Sequence, residues 1–176
     1  MIYAYIRTGK LKDIEYIKEM SKADIVLIDL VSEWGTSENN EFEKLVDSLE
    51  ENDTVVIKSI DNLVTMSRKT QFCDINDFIS LFKLCRKKNI KLISLEDKRG
   101  MDLLDVDAYK LICLIEEGIN KRMNLTTKLG RPSKFPKCFL ETYYKFRNKG
   151  INAYEAGKEL GINYKTFYVL VKEFES

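Results

Sequence analysis

The stretch Tyr5-Ile6-Arg7-Thr8-Gly9-Lys10 ends the first apolar run of the chain and sets a guanidinium, a hydroxyl and a glycine side by side. At the carboxyl edge of a parallel α/β sheet, such residues stand where ligands and reacting groups gather. An arginine there suits a phosphate or sulfate. Its simpler role is a structural ion pair at the sheet edge, with Asp61 the expected partner. Thr8 carries a hydroxyl, but strand alternation turns it to the face opposite Arg7 and Gly9. Asp29, near the end of the second apolar run, fits a helix-capping or loop carboxylate better than a phosphoacceptor. Histidine is absent, which removes the usual general base and the commonest metal ligand and excludes Ser-His triads and His-ligated zinc. Cys73, Cys85, Cys113 and Cys138 are widely spaced and form no CxxC pair, as expected of idle thiols in a reducing cytosol. No cofactor and no metal are expected.

A second group with chemical potential lies near the C-terminus. Asn163, Tyr164, Lys165, Thr166 and Tyr168 fall on the first turns of an expected helix, with donors suited to purine edges. Lys145, Arg147, Lys149, Lys158 and Lys172 suit phosphate contacts, which position a protein on DNA without specifying sequence. Arg131 sits in an extended Gly-Arg-Pro segment, narrow enough for a minor groove.

The elements that must position these residues follow from periodicity. Near-continuous β-branched runs at 2–8, 23–31, 53–60 and 90–97 predict strands buried on both faces. Helical patterns at 10–20, 41–52 and 75–89 alternate with them, so a parallel sheet with right-handed crossovers is expected. A long helix over 103–128 follows. Its apolar Leu111, Ile112, Leu114 and Ile115 need more than one neighbour, either the sheet or a second subunit. Gly130, Pro132 and Pro136 break the chain at 129–136. Three short helices are then expected at 137–150, 152–161 and 163–174. Gly150 and Gly161 are their expected stops, Asn152 and Asn163 their N-caps, and Glu155 completes a capping box. A helix, a glycine turn and a second helix is the helix-turn-helix plan.

The net charge of +1 conceals a step. Residues 1–120 hold 17 Lys+Arg against 23 Asp+Glu, whereas residues 121–176 hold 12 against 5. A mildly acidic body with a basic tail points to a polyanionic partner for the tail. Hydrophobic residues at 44% and charged residues at 32% give the chain a packed core. No run has the length of a membrane span and no secretory signal is visible, so a cytoplasmic location is expected.

Together these features resemble the serine recombinases of the resolvase/invertase family over essentially the whole chain. The family's first strand ends Tyr-x-Arg-x-Ser, which here reads Tyr5-Ile6-Arg7-Thr8-Gly9. A second family segment aligns without gaps onto Asn39 through Thr65. There Phe42, Leu45, Leu49, Asp53, Thr54, Val55, Val56, Ile60, Asp61 and Leu63 keep its scaffold. The Gly130-Arg131-Pro132-Ser133-Lys134-Phe135 junction and the helices after it resemble the family's DNA-binding domain. The family's chemistry uses a serine that attacks a DNA phosphodiester, with arginines that neutralise the transition state. The resemblance places the nucleophile at Gly9 and three of the arginines at Asn39, Asn62 and Thr65; Arg7 and Asp61 match. The helix before the junction is shorter than in the family.

The resemblance implies a resolvase-like body over 1–128 that includes the long helix 103–128, a linker at 129–136 and a helix-turn-helix domain over 137–176. It implies a homodimer on double-stranded DNA through Leu111, Ile112, Leu114 and Ile115, with higher assembly open to it. It also implies bacterial, plasmid- or phage-associated DNA as the setting. The expected activity is sequence-specific DNA binding without strand cleavage, as a regulator or accessory subunit in recombination, partition or replication. Two alternatives stand beside it. One is an active recombinase with a displaced hydroxyl from among Thr8, Ser59 and Ser67, helped by Arg68 and Lys69. The other is a protein-interaction module that does not bind DNA.

Overall fold

A computed structural model describes residues 1–31, 41–66, 72–97, 100–126 and 135–176. The strands are β1 (Ile2–Thr8), β2 (Ile25–Leu30), β3 (Thr54–Ile57), β4 (Thr65–Met66), β5 (Cys73–Asp74) and β6 (Lys91–Ser94). The α-helices are α1 (Leu11–Ser21), α2 (Glu41–Ser48), α3 (Asn76–Lys87), α4 (Ala108–Thr126), α5 (Phe139–Arg147), α6 (Ala153–Glu159) and α7 (Tyr164–Glu175). The class is α/β, as expected. β2, β1, β3 and β6 lie side by side in that order, all parallel. The short antiparallel β4–β5 pair is an addition that sequence periodicity did not predict.

Alternation along β1 divides the core. Tyr3 and Tyr5 face α2, α3 and α4, packing with Leu45, Leu49, Phe78, Leu81 and Leu114. Ala4 and Ile6 face α1 and meet Ile17. Among the described residues, that face has one helix of the body over it, α1. The rest of its cover at β2 comes from the C-terminal helices: Ile28 and Leu30 of β2 and Leu11 and Ile14 of α1 pack on Phe139, Phe167 and Phe174.

Several boundaries differ from the expectation, each for a local reason. α2 stops at Ser48 because the chain turns at Asn52, whose φ is 64°, and Asp53 accepts from the Glu50 amide at 2.8 Å. The long helix begins at Ala108, not at 103. Asp102 holds 103–105 in a separate turn by accepting from the Leu104 amide. Asp107 then starts the helix by accepting from the Lys110 amide. At the end of α5 the left-handed residue is Lys149 (φ 58°), not Gly150. The amides of Lys149 and Gly150 return to Phe146 and Lys145, a Schellman-type closure. Gly161 (φ 66°) does close α6 as expected.

Candidate functional site

β1 lies between β2 and β3, and its two neighbours are reached by crossovers in opposite directions. The strand order therefore reverses at β1 and β3, the point beyond whose carboxyl ends open α/β sheets commonly bind ligands. Arg7, Thr8 and Gly9 leave β1 at that point, and Lys58, Ser59, Asp61 and Asn62 leave β3 beside them.

Arg7 is 7% exposed and held in a chain of polar contacts. Its Nη2 stands 2.7 Å from Asp77 Oδ2 on α3. Its Nε donates to the Tyr5 hydroxyl at 2.7 Å, and that hydroxyl donates to Asp29 Oδ2 at 2.7 Å. Asp29 also accepts the Glu41 and Phe42 amides at 3.1 and 3.2 Å, which caps the first turn of α2. The guanidinium carbon lies 5.0 Å from the Phe42 ring centroid. The expected ion pair with Asp61 is thus corrected to Asp77. β-alternation directs Arg7 to the α3 face, while Asp61 accepts from the Ser59 hydroxyl at 2.6 Å. Burial alone would lower the Arg7 pKa, but Tyr5 and Asp77 outweigh it and raise it. Burial pushes the Tyr5 hydroxyl far up and also raises Asp29, against the pull of its donors. An anion binding at Nη2 would have to displace Asp77. Asp29, 1% exposed, is the helix-capping carboxylate expected from the sequence.

The described hydroxyls at this edge are committed as well. Thr8 faces α1, as alternation requires, and donates to Asp13 Oδ2 at 2.8 Å. Lys58 Nζ holds the other oxygen of Asp13 at 2.8 Å. Thr8 and Ser59 are 5% and 1% exposed. Asn62, at an expected arginine position, is buried and donates to the Arg7 carbonyl at 3.3 Å. Thr65 lies on β4. Asn39, Ser67, Arg68, Lys69 and Arg131 lie outside the described residues.

Beside this edge, Asp97 is also raised by burial. It accepts from the Ile60 amide at 2.6 Å and from Ser94 Oγ at 2.7 Å. With a folded pKa above its unfolded one, Asp97 holds more proton in the native chain across that window. It therefore adds stability as pH falls and withdraws it as pH rises. Urea unfolding between about pH 4 and about pH 7 should show this as a gap between wild type and Asp97→Asn that changes with pH. A gap constant across that range would refute it.

The C-terminal helices place the second group of residues together. Asn163 caps α7 by accepting from the Lys165 amide at 2.9 Å. Asn163, Tyr164, Lys165, Thr166 and Tyr168 are all exposed on its first two turns. Asn152 and Glu155 form the expected capping box at α6. A Cβ on Gly157 would stand 2.8 Å from the Ile162 carbonyl and 3.1 Å from the Tyr164 amide. Glycine there is what lets α7 start so close to α6. Of the expected phosphate contacts, Lys145 pairs with Glu141 and Glu159, and Arg147 pairs with Glu175. Lys149, Lys158, Lys165 and Lys172 have no ion pair among the described residues. Tyr154 on α6 is a further exposed aromatic, 71% exposed, and was not singled out from sequence. Its signal was its place in the first turn after the Asn152 cap.

On α4, Leu114 is buried in the body's own core, and Leu111 and Ile115 pack against it. Ile112 is 55% exposed, on a stripe with Tyr109 and Met123. Among the described residues no helix is long and apolar enough to cross a membrane.

No protein-family model and no curated protein matches the chain. Among solved structures it is similar to the first ORF in transposon ISC1904 from Sulfolobus solfataricus P2. The two share 18% identity over 97% of this chain and 98% of that one, with a TM-score of 0.40.

Proposed function

We propose that the chain is a sequence-specific double-stranded DNA-binding protein of the resolvase/invertase type that does not cleave its site. In this reading residues 137–176 are a helix-turn-helix domain, 129–136 a linker and 1–128 the body. α7 enters the major groove by its first turns, and Arg131 reaches the minor groove. The observation that carries the reading is the exposed group Asn163, Tyr164, Lys165, Thr166 and Tyr168, set by the close α6–α7 approach at Gly157 and flanked by lysines without ion pairs among the described residues. The non-cleaving part is supported by Gly9, by the engagement of Arg7 with Asp77 and by the burial of Thr8 and Ser59. Two copies meeting along the exposed Tyr109 and Ile112 of α4 would present two reading helices. Such a dimer would act as a regulator or as an accessory subunit of a recombination, partition or replication complex.

Selection from a random DNA pool, followed by titration on the selected site, tests this. Lys165→Ala should relax base preference by about 1–3 kcal/mol, and Lys149→Ala should weaken all sites evenly and lower the salt slope by about 1. Affinity that is indifferent to salt would favour the interaction-module reading. A covalent protein–DNA adduct lost in Thr8→Val or Ser59→Ala would favour an active recombinase.

A further inference from the structure

The end of β1 and the C-terminal helices meet at Gly9. A Cβ built there would stand 2.9 Å from the Val31 carbonyl oxygen and 3.1 Å from Cε2 of Phe135. The first neighbour is backbone and cannot swing aside. The second is a ring held by other rings, with centroids 4.8 Å from Phe139 and 5.9 Å from Phe174. Around this point Leu11, Ile14, Ile28 and Leu30 pack on the same aromatic cluster. Lys12 Nζ donates to the Ser176 carbonyl at 3.0 Å, and Lys18 Nζ lies 5.5 Å from the Tyr144 ring centroid. The contacts thus run from the carboxyl end of β1 along α1 to the far end of α7. Twelve helical residues span about 18 Å, which separates the exposed Tyr164 and Lys165 at the start of α7 from the Lys12–Ser176 contact at its end.

We propose that Gly9 is a socket for Phe135, and that this joint locks the C-terminal helices and the sheet into one rigid body. A side chain at position 9 and a docked Phe135 are alternatives, since both claim the same space. In this chain, glycine at the carboxyl end of β1 therefore marks a mechanical joint. The inference stands on packing and holds whether or not α7 reads DNA.

The test is ¹⁵N relaxation of the full chain, comparing amides of 139–175 with those of β1, β3 and α3. In the wild type, both sets should share one rotational correlation time. Gly9→Ser and Phe135→Ala should each split it, with the C-terminal helices tumbling about twofold faster than the body. Amides of β2 near Leu30 should then exchange about tenfold faster. If Gly9→Ser fails to fold, Phe135→Ala decides, because it puts no side chain against the Val31 carbonyl. A wild-type chain with two correlation times, or a folded variant of either kind that tumbles as the wild type does, overturns the joint.

Discussion

Asp29→Ala is expected to destabilise the body by about 3–5 kcal/mol, the loss typical of removing one member of a buried charged network. The side chain gathers three donors: the Tyr5 hydroxyl and the amides of Glu41 and Phe42. Alanine leaves all three without this acceptor, and the buried Tyr5 hydroxyl carries the full desolvation cost of an orphaned group. It also removes the cap from the first turn of α2. Arg7 keeps Asp77 but loses the carboxylate at the other end of its chain through Tyr5. Asp29→Asn, which retains one acceptor oxygen, should cost less than alanine. Urea unfolding followed by far-UV circular dichroism measures both. A loss for alanine below about 1 kcal/mol would place it in the range of an exposed ion pair and refute the network.

Phe139→Ala should cost about 3–5 kcal/mol, the range for deleting a large aromatic side chain from a tight core. The ring is 1% exposed and meets Phe135, Tyr143, Phe167 and Phe174 at centroid separations of 4.8 to 6.2 Å. No other described side chain touches as many rings of that cluster, and no small shift of α5 refills the space. Hydrogen exchange resolves where the loss falls. Amides of α5, α6 and α7 should lose protection, whereas β3 and β6, none of whose residues belongs to that aromatic cluster, should keep theirs. Loss of protection spread equally through β6 would show that the C-terminal helices and the sheet unfold as one unit.

The four long strands were legible because residues buried on both faces leave a near-continuous apolar record. Valine, isoleucine and leucine dominate the runs that became β2, β3 and β6. The β4–β5 pair left no such record, since two residues per strand carry no period. Alternation correctly separated Thr8 from Arg7, yet the partner of Arg7 was misread. Asp61 is close in the strand-end alignment, but which carboxylate shares the face of Arg7 depends on where α3 lies, and that is a tertiary fact. The caps at Asn152, Asn163 and Gly161 were readable because capping is local chemistry. Lys149 shows the limit of that rule: a favourable glycine one residue later did not take the left-handed position. Phe135 gave no warning at all. It sits between the prolines of an apparent linker, where an aromatic has no period to join, and its place against Gly9 is set wholly by long-range packing.

The shared cover over β2 has a consequence for how the protein is made. The strip formed by Leu11, Ile14, Ile28 and Leu30 belongs to residues that leave the ribosome early, while the aromatic rings that cover it are translated more than a hundred residues later. Between the making of β6 and that of the last helices, the sheet can pair its strands but has a sticky flank with nothing to lie on it. Nascent chains in that condition are the ones that chaperones hold and that aggregate when unattended. The C-terminal helices thus finish the body as well as extend it, and a chain interrupted at the junction would be released with that flank bare.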